Sequence, residues 1–128
     1  MKYLQDYTYN FSELLGKTLL DIKIIQNDNQ QEIHFIVEDG KYIMMKDPNQ
    51  DIRIKEIVGN LDDLIGSPII KTDRSFSTGV IEWSEFWGIS IWTFYELATK
   101  KGEVSIMWFG KYDENYSEYL DLYFVPNK

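Results

Sequence analysis

The sequence predicts an α+β domain, in which a single, mostly antiparallel sheet of seven to eight strands is curled or forms a partial barrel and carries two short helices. Apolar and polar residues alternate along most of the chain, as they do in half-buried strands. Turn signals separate the alternating runs at short intervals, and only two segments carry helix caps. Since 128 residues can bury a core of their own, we expect residues 1–128 to form a single domain.

The first part of the chain predicts one short helix followed by a β-meander. Asn10 or Ser12 can cap the helix, and Gly16 suits its end. Alternation then predicts three strands, and the Asp39-Gly40 pair indicates a hairpin between the second and the third. The expected strands cover residues 18–26, 32–38 and 41–46.

The middle of the chain predicts a strand, a helical turn and a second short strand. Residues 51–58 alternate, and residues 69–72 resume an extended run after a proline. Between them, Asn60 can cap a single turn that places Asp62 and Asp63 at its positive end. Capping explains these two carboxylates better than a Ca²⁺ or Mg²⁺ site does, because the oxygen ligands of a calcium loop do not follow.

The second half of the chain predicts one long loop and three strands. Residues 74–88 lack periodicity and are rich in Ser, Thr, Gly and aromatic residues, which favours a loop, with a short edge strand at 80–83 as the alternative. Two β-forming runs, 89–99 and 103–109, should pair as an antiparallel hairpin around Lys100, Lys101 and Gly102. The last strand is expected at 116–125.

Composition excludes several kinds of chemistry. The chain has no cysteine, which excludes thiolate zinc sites and thiol nucleophiles. Its single histidine, His34, makes a Ser-His triad or a histidine-based metal site an unfavourable interpretation. We expect no catalytic residue, no metal and no cofactor. We also expect no signal peptide, because Asp6 precedes any apolar run, and no membrane span. The expected location is therefore the cytoplasm of a bacterial host cell.

The charge of the chain points to the chemistry of a partner. Twenty-one acidic residues against 13 basic ones give a net charge of −8. Such a field repels phosphate backbones, so direct nucleic-acid binding is disfavoured and a partner with a basic surface is favoured.

The aromatic-rich stretch between residues 74 and 100 is the best candidate for contact with such a partner. It holds seven aromatic and three acidic residues, with no basic residue between its ends. Aromatic residues outside the alternating runs are expected to anchor the partner, and nearby acidic residues to steer a basic surface. The predicted partner-binding residues are Glu82, Trp83, Glu85, Phe86, Trp87, Asp113 and Glu114.

Three alternative functions stay open at this point, together with the role of His34. Glu82 and Glu85 are compatible with a small enzyme or ligand-binding protein that has an aromatic-lined pocket and paired carboxylates. His34, within an alternating strand, fits a surface or hydrogen-bonded side chain better than a catalytic base. Acidic residues on alternate strand positions could mimic nucleic acid, although no regular acidic row is present. Finally, an exposed edge strand could lead to self-association.

Three ordered segments resemble a known family. They are IKEIVGNLDDLIGSPII at 54–70, WTFYELATKKGEVSIMW at 92–108 and Tyr-Ser-Glu at 116–118. Together they are similar to a family of small proteins from phages and prophages of Gram-positive bacteria, a domain of unknown function, with the resemblance running from about residue 15 to residue 124. The resemblance implies no particular activity.

The chain departs from this family in its loops. Other members carry a cysteine pair where this chain has Pro48 and Asn49, and a Ser-Asn-Gly-Tyr-Tyr-Ser-Glu turn is replaced at residues 111–118. A shared scaffold with different loops fits recognition better than fixed catalysis. We therefore expect a non-enzymatic accessory protein that binds a host or defence protein. Inhibition of that protein is one form of this hypothesis.

Overall fold

The computed structural model describes residues 9–26, 30–46, 52–83, 86–111 and 119–127, with the backbone alone for residues 80–83 and 86–89. Within these ranges the chain forms eight strands: β1 (Asp21–Gln26), β2 (Gln31–Val37), β3 (Gly40–Met45), β4 (Ile52–Val58), β5 (Lys71–Trp83), β6 (Phe86–Thr99), β7 (Gly102–Lys111) and β8 (Asp121–Pro126). They pair into two four-stranded sheets, ordered β1-β2-β3-β8 and β4-β7-β6-β5. Every pairing is antiparallel, which confirms that part of the prediction.

The prediction of one curled sheet or partial barrel with two short helices is wrong. The fold is mostly β, with two separate sheets, no closed barrel and, in the described residues, only two 3₁₀ turns, at Phe11–Leu14 and Leu61–Leu64. Alternation identifies the buried face of a strand, but it does not identify the neighbouring strand. Because two 3₁₀ turns cannot cover the apolar face of a sheet, each sheet covers the other.

The core lies between the two sheets. A single apolar cluster joins residues from the facing sides of both, including Phe35, Met44 and Leu122 from the first sheet and Tyr95, Ile106 and Trp108 from the second. Hydrogen bonds also cross the space between the sheets. The N–H of Ile54 in β4 donates to Oε1 of Gln31 in β2 at 2.7 Å. These contacts fix how the sheets face each other.

Both 3₁₀ turns begin at the asparagine caps that the sequence predicts. The side chain of Asn10 accepts a hydrogen bond from the N–H of Ser12, and that of Asn60 accepts one from Asp62, each at 3.0 Å. Asp62 and Asp63 lie in the first turn, where their charge suits the exposed N–H groups. Each turn ends after four residues, so neither becomes an α-helix.

Backbone hydrogen bonds connect the two sheets at one end of the molecule. Residues 16–20 run beside residues 65–70, and the two segments bond to each other. From the first segment, Leu20 donates its N–H to the carbonyl of Ile36 in β2 at 2.7 Å. From the second, a backbone N–H donates to the carbonyl of Ala98 in β6 at 2.8 Å. A continuous path of peptide groups therefore leads from one sheet to the other.

The stretch predicted as a long loop is a hairpin. The described residues of this stretch, 74–83 and 86–88, belong to β5 and β6, which pair without interruption from Lys71 opposite Ala98 to Trp83 opposite Phe86. The alternation is missing from β5 because it is an edge strand whose residues 73–78 are all exposed on both faces. Without a buried face, the strand has no reason to place apolar residues at every second position.

Tyr95 leads to a test of the core through pH. Its hydroxyl oxygen accepts a hydrogen bond from the buried N–H of Leu120 at 2.7 Å, and burial raises the pKa of its phenol above the ordinary value of 10.0. At neutral pH, Tyr95→Phe is expected to cost about 1–3 kcal/mol, because this buried N–H loses its acceptor.

Above pH 10 the difference in the free energy of unfolding between the wild type and Tyr95→Phe should narrow. The phenol then ionises more readily in the unfolded state than in the folded state, so the wild type loses stability as pH rises beyond the unfolded value of 10.0. The phenylalanine variant does not share this loss. Denaturant unfolding of both proteins at neutral and alkaline pH measures the effect, and an unchanged difference would argue against it.

Candidate interaction surface

The two faces of β6 differ sharply in burial. Ile91, Thr93, Tyr95 and Leu97 point between the sheets and are at most 3% exposed. The intervening residues, Trp92, Phe94, Glu96 and Ala98, lie on the outer face of the second sheet and are half-buried. This outer face therefore presents large aromatic side chains at the surface.

Four residues of the outer face form what we call the apolar patch: Trp92, Phe94, Met107 and Phe109. Trp92 lies opposite Phe109 and Phe94 opposite Met107 in the β6–β7 ladder. The Trp92 and Phe109 rings contact each other with centroids 4.9 Å apart and planes tilted by 48°. Since all four side chains are half-buried, cross-strand packing holds them in place while part of their surface stays accessible.

An ion cluster adjoins the apolar patch on the same face. Nζ of Lys71 lies 2.6 Å from Oε2 of Glu103 and 3.8 Å from carboxylate oxygens of Asp73 and Glu96. The hydrogen bond to Glu103 raises the pKa of the Lys71 ammonium group, which keeps the lysine charged. Three carboxylates and one ammonium group give this cluster a net charge of −2.

Strand register fixes the distance between the cluster and the patch. Glu96 and Phe94 are alternate residues of β6, and neighbouring positions on one face of a strand are roughly 6.6–6.8 Å apart. Asp73 is opposite Glu96, while Phe94 lies between Ser75 of β5 and Met107 of β7. The acidic pair is therefore one row away from the apolar patch, which has negative charge along one side.

The residues predicted from the sequence as partner-binding lie mainly outside what the structure describes. Glu82 and Trp83 fall in β5, where their backbones pair with those of Trp87 and Phe86. Their side chains are outside the described part of the structure, as are Glu85, Asp113 and Glu114 altogether. The hairpin brings the two tryptophans and Phe86 onto adjoining strands, and their role in binding stays a prediction.

Sequence reasoning missed the apolar patch, although a signal for it was present. Glu96 shares its strand parity with Trp92 and Phe94, and Glu103 shares its parity with Met107 and Phe109. A charged residue at the same parity marks the face of a strand that reaches water. The prediction instead selects the aromatic residues outside the alternating runs, Trp83, Phe86 and Trp87.

A second polar arrangement occurs on the first sheet. Nε2 of His34 and Oε1 of Glu32 lie 2.7 Å apart, and their side chains are only 11% and 3% exposed. The hydrogen bond confirms the expectation for His34, whereas its burial shows that it is not a surface side chain. Such an acid–imidazole pair can move protons, but here it lies out of reach of a large substrate. Among the described residues, no group of three or more His, Cys, Asp or Glu could hold a metal ion.

Comparison with protein families gives a match over most of the chain. The profile described as a domain of unknown function, DUF7448, covers residues 12–122. The chain belongs to the DUF7448 family. The apolar patch and the ion cluster therefore both lie within the DUF7448 domain.

Other comparisons add no further relative. No curated protein and no solved structure was found to match this DUF7448 domain. In the part of the chain that the structure describes, no helix is long and apolar enough to cross a membrane.

Proposed function

We propose that this DUF7448 domain is a non-enzymatic accessory protein of a phage or prophage that acts in the host cytoplasm by binding a host or defence protein. The observation that supports the proposal is the apolar patch beside an acidic cluster on the outer face of the second sheet. Trp92 and Phe109 are held against each other and are only half-buried. Aromatic residues in such positions are frequent anchors of protein interfaces.

The charges indicate the chemistry of the partner. The ion cluster carries −2 beside the patch, and the chain as a whole carries −8. A partner with an apolar contact area next to basic residues would complement both features. The same field disfavours a nucleic acid as the ligand, because phosphates would be repelled.

The alternative is a small enzyme or ligand-binding protein with an aromatic-lined pocket and acidic residues. A glycosidase of this kind needs carboxylates that face each other across a recess, and a ligand-binding protein needs a concave pocket. The described aromatic residues instead lie side by side on one face of a sheet, in two cross-strand pairs. The buried Glu32–His34 pair favours the alternative most, yet it is covered rather than open to a substrate. The binding module is therefore the better-supported function.

Removing the aromatic anchors tests the proposal. The double variant Trp92→Ser/Phe109→Ser should lose capture of one specific bacterial protein, since truncating central aromatic residues commonly costs an interface enough to weaken binding by about tenfold or more. The measurement is capture from a bacterial lysate followed by a binding titration with the purified captured protein. Affinity should also fall as salt increases, because the cluster is exposed.

The matched control removes apolar side chains elsewhere. Leu20 and Ile25 are 57% and 40% exposed, so Leu20→Ser/Ile25→Ser makes a comparable polar change at and beside β1, away from both the patch and the ion cluster. Both double variants are checked by thermal unfolding. Equal capture by the wild type and the Trp92→Ser/Phe109→Ser variant, with that variant folded, would contradict the proposal.

A further inference from the structure

The edges of the two sheets are not protected equally. Proteins prevent unwanted strand pairing with short edge strands, charges, prolines and bulges. Among the described strands, β1 and β8 have six residues each, and β8 ends at Pro126. β4 carries Arg53, Lys55 and Glu56 and is interrupted by a bulge between Ile54 and Glu56. Each of these three edges has at least one such feature.

The edge formed by β5 has none of these features along most of its length. β5 has 13 residues, and its register with β6 continues without a bulge. Residues 75–81 contain no charge and no proline. No described strand lies on its other side, and residues 73–78 are all exposed. Such a long, regular and open edge is suited to receive another strand.

Phe76 adds an apolar reason for pairing at this edge. It is 43% exposed, and its ring makes an edge-on contact with Tyr119, with centroids 5.5 Å apart. The guanidinium of Arg74 lies over the same Tyr119 ring, 4.1 Å from its centroid. These contacts hold Arg74 and Phe76 on one face of β5, where a neighbouring strand would cover them.

From these observations we infer that the free edge of β5 binds the same edge of a second copy of this chain, as an antiparallel pair related by a two-fold axis at Thr78. This axis places Arg74 opposite Glu82 of the second copy. It also places Phe76 opposite Val80. Both pairs occur twice by symmetry, so in these pairs a basic position is opposite an acidic one and an apolar position is opposite another apolar one.

Neighbouring registers are less complementary. An axis at Phe76 places Arg74 opposite Thr78, and an axis at Ser77 places Arg74 opposite Val80. In both cases the guanidinium has no carboxylate directly across the strand pair. The axis at Thr78 also pairs residues 73–83 along their whole length, which gives roughly ten backbone hydrogen bonds in an antiparallel ladder.

This dimer has one continuous sheet of eight strands. A two-fold axis perpendicular to the sheet keeps each face on its own side, so both apolar patches lie on the same side of the assembly. The inference does not rest on the proposed function, because the dimer is formed by backbone groups of β5, whereas the apolar patch lies on β6 and β7.

Charge reversal tests the dimer and its register together. The wild type should be a dimer that dissociates on dilution in sedimentation velocity. Arg74→Glu alone and Glu82→Arg alone each create two like-charge contacts, and each should raise the dissociation constant by on the order of tenfold to a hundredfold. An equimolar mixture of the two variants restores both pairs, and it should form a heterodimer with the affinity of the wild type. The double variant should dimerise by itself.

Matched controls separate the edge from general effects of charge. Lys23→Glu on β1 and Glu38→Arg in the β2–β3 turn make the same charge changes at exposed positions away from β5, and both should leave dimerisation unchanged. Thermal unfolding checks Arg74→Glu, which also loses the contact with Tyr119. A loss of folding cannot be repaired by mixing two variants. A monomeric wild type, single variants that dimerise like the wild type, or a mixture without rescue would each overturn the inference.

Discussion

Trp108→Ala is expected to lower the free energy of unfolding by about 3–5 kcal/mol, the usual cost of removing a fully buried large aromatic side chain. Trp108 is 0% exposed, on the inner face of β7 between Ile54 of β4 and Thr93 of β6. Alanine leaves a space that the two sheets can fill only by moving closer, and the hydrogen bonds that cross between them resist that movement. Denaturant unfolding followed by circular dichroism measures the loss.

Trp108→Phe should cost much less, by under about 1.5 kcal/mol. The indole N–H is buried and has no hydrogen-bond acceptor among the described residues. An unpaired buried donor costs about 1–3 kcal/mol, so removing it offsets much of the apolar area that the smaller ring loses. If the phenylalanine variant is as unstable as the alanine variant, the indole N–H has a partner after all.

The second large effect is expected at Gly59, directly after β4. Its φ is +109°, and a Cβ there would lie 2.5 Å from the carbonyl oxygen of Glu103 and 3.1 Å from Cα of Val104. Because both neighbours are backbone atoms of β7, they cannot rotate away. Gly59→Ala should therefore cost about 2–5 kcal/mol, from the unfavourable φ together with a forced backbone shift.

Gly16→Ala is the matched control for this position. Gly16 also has a positive φ, +86°, but a Cβ there would meet no atom within 4 Å. Its substitution should cost only the conformational part, about 1–2 kcal/mol. Equilibrium unfolding of the two variants separates the clash from the backbone preference. Equal costs would mean that the β4–β7 contact yields without strain.

Local signals in the sequence were enough for several elements. Asn60 with Asp62 and Asp63 predicts a capped turn, because capping depends only on neighbouring residues. The alternation of Ile33, Phe35 and Val37 predicts β2 and its core face. In both cases the relevant physics acts within a few residues, and the structure agrees.

Pairing between distant strands could not be predicted in this way. Nothing in the residues of β4 indicates that it pairs with β7, or in those of β8 that it pairs with β3. The burial of Glu32 and His34 depends on the same long-range arrangement. An edge strand such as β5 also gives no alternation to detect, which is why its residues resembled a loop. Predicting the apolar patch requires knowing whether the odd-numbered or the even-numbered residues of β6 face the other sheet.

The strand order has a consequence for synthesis of the protein. β1, β2 and β3 follow one another along the chain and pair as neighbours, but β8 completes their sheet, and β8 comes from the far end of the fold. A ribosome makes β4 to β7 before it makes β8. The open side of β3, which includes Tyr42 and Met44, must therefore wait for most of translation before its own partner strand exists, and the length of that wait is set by the time needed to make β4 to β7.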